Sequence, residues 1–140
     1  TAAALGENLT GNARAIDCTF EPIVRMTTTY IEPGDQTFEQ LIAPIQKGYY
    51  IKTISHGSGM STFTIAPRLA YEIENGHLGK PTQISVITGS VFETLGLIDG
   101  LSNELTLLSF VTGGCGKMEQ QGLPVGFGGP CVRVSEMNVQ

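Results

Sequence analysis

A β-dominated α+β fold is what this chain predicts: a bent antiparallel or mixed sheet, or a partial barrel, with two short helices. Three observations carry that expectation. Short β-branched runs recur along the sequence, separated by Gly, Pro, Asn and Asp. Only two segments, Thr37–Gln40 and Ser90–Glu93, combine a helix-capping pattern with apolar residues at helical spacing. A hydrophobic fraction of 41% against 15% charged, over 140 residues, suffices for a buried core and excludes a disordered chain.

In chain order, residues 1–17 are rich in Ala, Gly, Asn and Thr without a period and read as an extended lead-in. Residues 18–140 read as a single domain. Ile23 to Ile31 is β-branched and ends in the turn cluster Glu32-Pro33-Gly34-Asp35, which predicts a strand. Thr37 and Gln40 form a capping box before Phe38, Leu41, Ile42 and Ile45, and Pro44 predicts that this helix is short. Tyr49–Ile54 reads as a strand, His56–Ser61 as a flexible loop, and Thr62–Ala66 as the next strand, with Pro67 at an edge or bulge. Asn75-Gly76 between short strands predicts a hairpin, because both residues tolerate positive φ. Ile84–Thr88 is a further strand. Ser90 and Glu93 repeat the capping-box pattern ahead of Val91, Phe92, Leu95 and Ile98, a second short helix. Strands are then expected at Leu105–Val111 and Val132–Val134.

Charge and cysteine usage exclude several function classes. Net charge is −5, and the eight Lys and Arg are spread singly, so no basic stripe exists to neutralise phosphates; nucleic acid is not expected as a direct partner. No apolar run approaches the roughly 20 residues a membrane helix needs, and nothing resembles a signal peptide; no membrane partner is expected. Three cysteines, Cys18, Cys115 and Cys131, are an odd number without close pairs, which points away from a disulfide scaffold and to the cytoplasm. The chain starts at Thr1 rather than Met and reads as a piece of a longer polypeptide.

The segment richest in chemistry is Gly113-Gly114-Cys115-Gly116-Lys117. Glycine on both sides keeps bulk off the sulfur and lets the backbone approach a ligand, and Lys117 brings a positive charge that favours the thiolate. Cys115 is therefore read as a buried apolar residue, a metal ligand, a nucleophile or a redox-active thiol. A nucleophile needs a nearby histidine, and only His56 and His77 exist. Both also read as solvated loop residues. A zinc site needs three or four protein ligands, and the chain has no H-E-x-x-H or CxxC to supply them. Cys18 and Cys131 read as core residues in strand-like surroundings. The scattered carboxylates, Glu72 and Glu74 on one strand face among them, read as a solvated surface.

Five segments in order resemble one family. They are Thr10-Gly11-Asn12-Ala13-Arg14-Ala15; Arg25-Met26-Thr27-Thr28-Thr29-Tyr30 with Glu32-Pro33-Gly34; Ile73-Glu74-Asn75-Gly76; Gly114-Cys115-Gly116-Lys117; and Leu123-Pro124-Val125-Gly126 with Gly129-Pro130. Together, from about Thr10 to Val139, they resemble the C-terminal domain of the TldD/PmbA family. Those proteins are cytoplasmic zinc-dependent peptidases and peptide-maturation factors, also described as candidate modulators of DNA gyrase. The resemblance implies that zinc is held by two histidines of an H-E-x-x-x-H helix and by a cysteine matching Cys115, which places the chain in the TldD-like branch. It implies no catalytic residue within this chain, because the HExxxH segment and its Glu belong to the preceding part of the full protein. The implied partners are that N-terminal part, a TldD/PmbA-like homo- or heterodimer subunit, and a short or unfolded peptide substrate. Gly114, Gly116, Lys117 and His56 are the residues expected to line the substrate cavity. His56-Gly57-Ser58-Gly59-Met60 departs from the family's usual three glycines and acidic residue, and Thr28 stands where Asn is usual.

Two functions thus compete at the level of sequence. One is the C-terminal part of a zinc metallopeptidase, inactive by itself. The other is a non-catalytic β-rich module for peptide docking or subunit assembly, which would accept an added strand at an edge such as the one carrying Pro67.

Overall fold

The computed structural model describes residues 2–109 and 114–140. In chain order the elements begin with α1 (Ala2–Leu5), β1 (Ala13–Arg14), β2 (Ile23–Val24), β3 (Thr28–Tyr30) and α2 (Phe38–Ile42). Next come β4 (Lys47–Gly59), β5 (Thr62–Glu74), β6 (His77–Thr82), β7 (Ile87–Ser90) and α3 (Val91–Gly96). The chain continues through β8 (Ile98–Leu101), β9 (Thr106–Ser109), β10 (Cys115–Lys117) and β11 (Gln120–Leu123). It ends with β12 (Gly126–Gly129), β13 (Val132–Val134) and β14 (Asn138–Val139). The fold is β-dominated α+β as expected, with the one-turn α1 added to the two anticipated helices. Among the described residues the strands form several open sheets rather than a closed barrel.

Two compact units emerge, Thr1–Ile31 with Thr106–Gly129, and Glu32–Leu105 with Pro130–Gln140. The second unit is built on a five-stranded sheet in which β14, β7, β5 and β4 are neighbours in that order and β6 also pairs with β5. Ala70, Ile84 and Ile87 form its buried cluster, with Ile51, Phe63, Ile65 and Met137 packed against it. The β5–β6 hairpin turns at Asn75 and Gly76, with φ of 50° and 77°, and its last pair is Glu74 with His77. Two successive positive φ values match the right-handed strand twist, which is why Asn-Gly marks the site.

Three local expectations are corrected here. His56–Gly59 is strand, the end of β4, where Gly57, Ser58 and Gly59 pair with Ile65, Thr64 and Phe63. The neighbouring strand satisfies the backbone that glycine alone would have left free. The two strands expected on either side of Pro67 are one continuous strand, β5, in the interior of the sheet. Pro67 sits opposite an irregular stretch of β4 around Thr53, Ile54 and His56. On its other side, β7 pairs up to Ile65 and β6 only from Ala70, so the missing proline donor falls in the gap between two partners. The bulge was anticipated, the edge was not found. Finally, Ser90 makes no side-chain cap on α3. Ser90 is still paired in the sheet, with Thr62, and the Val91 N–H donates to the Ser61 carbonyl at 2.9 Å, so backbone replaces the cap.

The first capping box forms as predicted. The Gln40 N–H donates to Thr37 Oγ1 at 3.2 Å, and the Thr37 N–H to Gln40 Oε1 at 2.8 Å. The helix it starts buries Leu41 and Ile42 and stops at Ala43, before Pro44. Thr37→Ala should lower stability by about 1 kcal/mol. Thermal unfolding would read this, and a midpoint unchanged from wild type would show that the cap contributes nothing.

In the first unit the anticipated strand Ile23–Ile31 breaks in two. β2 pairs antiparallel with β1, and β3 pairs parallel with β12, whose other neighbour is β9. The break lies at Arg25, whose side chain turns inward and whose N–H donates to the Asn12 carbonyl at 2.8 Å. The expected strand Leu105–Val111 is present as β9; Phe110 to Gly113 lie outside the described residues.

Candidate functional site

Cys115 opens β10, half-buried, at the base of the β10–β11 hairpin. It pairs with Leu123, and Lys117 pairs with Gln120, so β11 carries one more residue than β10 between the pairs. That bulge accommodates Gly122 at φ 74°, and the turn accommodates Met118 at φ 53°. Among the described residues the Cys115 sulfur makes one long contact, 4.0 Å, to the Gly116 carbonyl, which leaves its lone pairs available.

The two flanking glycines do different work. Gly114 has φ of 130°, and a Cβ there would overlap the Leu123 carbonyl oxygen and lie 2.9 Å from its carbon. Backbone cannot yield as a side chain can, so glycine is required for the chain to pass at this point. A Cβ on Gly116 would meet only the amide end of the Gln121 side chain, which can move aside. The Lys117 ammonium donates to the Val24 carbonyl at 2.9 Å and so ties β10 to β2.

Beneath the hairpin lies a buried polar network. Arg25 is 3% exposed and Gln120 is 5% exposed. The Arg25 guanidinium donates to the carbonyl of Cys115 itself, to the Gln120 carbonyl at 3.1 Å and to Gln120 Oε1 at 3.4 Å. Gln120 Oε1 also accepts the Ile16 N–H at 2.9 Å, and its Nε2 donates to the Glu21 carbonyl at 2.9 Å. Arg14 adds hydrogen bonds to the Met26 carbonyl at 2.8 Å and the Pro124 carbonyl at 3.0 Å. The one ion pair among the described residues, Arg133 with Asp99 at 2.7 Å, lies in the other unit, so neither Arg25 nor Arg14 has a carboxylate partner there. Neither Arg25 nor Gln120 was a candidate site residue. The usable signal was a charge set inside the apolar run Ile23-Val24-Arg25-Met26; for Gln120 the local sequence offers none.

None of the remaining candidates gives a hydrogen bond to this network among the described residues. His56 is exposed on β4, opposite Ala66, and belongs to the second unit; His77 is exposed at the start of β6. Cys18 is exposed in a turn rather than in the core. There Asp17 accepts from the Thr19 hydroxyl at 2.6 Å and from its N–H at 2.8 Å, and these bonds hold the carboxyl below its usual range. Cys131 is half-buried between β12 and β13, its N–H donating to Ser102 Oγ at 2.8 Å. Burial first, and Cys131 second, raise the nearby Tyr50 phenol above its ordinary 10.0. Among the described residues no three His, Cys, Asp or Glu side chains gather to hold a metal ion, and no helix is long and apolar enough to cross a membrane.

Comparison with known proteins shows the family. A metalloprotease of Synechocystis sp. is 37% identical over 140 residues, covering 99% of this chain and 30% of the relative. A zinc metalloprotease TldD homolog of Saccharolobus solfataricus is 34% identical over 137 residues, covering 96% of this chain and again 30% of the relative. The chain therefore spans about a third of the length of these curated relatives. Among solved structures, TldE from Thermococcus kodakarensis has the same fold, with a TM-score of 0.74 at 20% identity, covering 99% of this chain and 29% of that one. With residues 1–140 all matched, the chain belongs to the family of PmbA/TldA metallopeptidase C-terminal domains.

Proposed function

We propose that this chain is the C-terminal part of a TldD-like zinc metallopeptidase that hydrolyses short or unfolded peptides in the cytoplasm. Cys115 is its zinc ligand, and the other ligands come from an HExxxH segment in the N-terminal part of the same protein. The observation that carries this reading is a half-buried thiol with no short hydrogen bond among the described residues, seated beside a glycine whose close backbone passage excludes a side chain.

The donor set fits a shared zinc site. Thiolate is a common zinc ligand, and the described residues gather no competing cage around it. When bound, zinc polarises a carbonyl and lowers the pKa of a bound water. This chain's part is to hold one sulfur donor at fixed position and to wall the substrate cavity. Gly114 and Gly116 keep that wall low, and Lys117 braces β10 through Val24. His56, exposed on β4, belongs to the second unit and is not assigned to this wall. The active protein is a homo- or heterodimer of TldD/PmbA-like subunits. For the strand-addition alternative, β5 is paired with β4 along its length but has on its other side only the short gap around Pro67 between β7 and β6.

Cobalt substituted for zinc in the polypeptide carrying both parts should give an intense thiolate-to-metal charge-transfer absorption. A cobalt-loaded, active protein with only the weak bands of nitrogen and oxygen ligands would overturn the assignment of sulfur to the metal.

A further inference from the structure

We infer that Arg25 is a positioning residue for Cys115, acting through Gln120 and the main chain of the β10–β11 hairpin. The inference rests on the ligand reading of Cys115 and goes beyond it by naming what fixes the sulfur in place. A cysteine on a three-residue strand paired through a bulge has little intrinsic rigidity. A metal ligand needs its donor atom held within about 0.5 Å of the productive geometry. The main chain at Cys115 is gripped from below by a guanidinium that touches it directly and touches Gln120 twice, once on the hairpin's second strand and once on its side chain. On the same hairpin's far side, Arg14 takes the carbonyl of Pro124, next to Leu123, the pairing partner of Cys115.

The chemistry of the grip suits a positioning role. Arg25 is a charge removed from water, without a carboxylate among the described residues, and its Nε has no hydrogen-bond partner. Removing the guanidinium would leave the Cys115 and Gln120 carbonyls without this donor, at about 1–3 kcal/mol for each buried group left unpaired. Hydrogen bonds from one side chain that converge on both strands of the hairpin carrying Cys115 are what a positioning device requires. The planar fork is essential, because only a guanidinium reaches acceptors on both hairpin strands at once; an ammonium is a single point donor.

The test uses the full polypeptide with three variants, Arg25→Met, Arg25→Lys and Gln120→Met, and three readouts. These are thermal unfolding, zinc affinity by chelator competition, and the alkylation rate of Cys115 in metal-free protein, read on its own peptide by mass spectrometry. Positioning predicts zinc affinity weaker by about 10- to 100-fold in Arg25→Met, the range seen when outer-shell partners are lost. It also predicts a smaller loss in Arg25→Lys and Gln120→Met, and faster alkylation of Cys115 in all three, with each variant folded at the assay temperature by its thermal unfolding. Zinc affinity within about twofold of wild type in folded Arg25→Met overturns the inference. If Arg25→Met does not fold, Arg25→Lys and Gln120→Met decide by the same criterion; failure of all three to fold also overturns it, since Arg25 would then serve the fold as a whole. A Cys115→Ser protein that keeps its zinc would instead refute the ligand reading, whatever Arg25 does.

Discussion

Cys115→Ser, made in a polypeptide that also carries the HExxxH segment, is expected to bind zinc at least about 100-fold more weakly and to lose peptidase activity to background. The figure is the upper end of what outer-shell losses cause, and a direct ligand should exceed it. Serine is nearly isosteric, but its hydroxyl stays protonated near neutral pH and is a poor partner for a metal that prefers sulfur and nitrogen. The fold should not notice. The sulfur is only half-buried and has one long contact, so the unfolding midpoint should stay within the range of ordinary surface substitutions, about 0.5 kcal/mol. Metal content by elemental analysis and hydrolysis of an unstructured peptide are the two measurements. Wild-type values of both would remove the sulfur from the site.

Gly114→Ala is the second large effect. Two independent penalties fall on one residue. A φ of 130° is strained for any side chain, at about 1–3 kcal/mol, and the new Cβ would overlap the Leu123 carbonyl. A total of about 2–4 kcal/mol is expected, since overlap with backbone is relieved only by shifting the hairpin. Gly116→Ala is the internal control, because the atom in its way is the end of a flexible side chain. Gly122→Ala falls between the two, with φ of 74° but open space around the position. Thermal midpoints should therefore fall in the order Gly116→Ala, Gly122→Ala, Gly114→Ala. Equal midpoints for the first and last would show that Gly114 is not under the constraint its geometry describes.

What the sequence disclosed and what it withheld follow the range of the forces involved. The Thr37–Gln40 cap and the Asn75-Gly76 turn are satisfied by residues a few positions apart, and both are present as their patterns predict. The Ser90 cap fails because a carbonyl from Ser61, nearly thirty residues earlier, reaches the same helix end. His56–Gly59 looked like a loop because glycine weakens a strand, yet a facing strand outweighs that local preference. Around Cys115, local composition marked the thiol and its glycines. The network beneath it depends on Arg25 and Gln120, separated by 95 residues, and no window of sequence contains both. The shape of the thiol's neighbourhood was legible; its support was not.

That support has a consequence for how the protein is made. The N-terminal residues that brace Cys115 leave the ribosome long before it, and the whole of Glu32–Leu105 is synthesised in between. Closing so long an excursion adds only slowly to the entropic penalty but delays contact formation. During synthesis Arg25 must therefore wait, solvated or transiently paired elsewhere, until Cys115 and Gln120 arrive. Fixing of the Cys115 main chain is thereby a late event relative to synthesis of Arg25, and a nascent chain stalled between Cys115 and Gln120 would have its thiol without its full anchor.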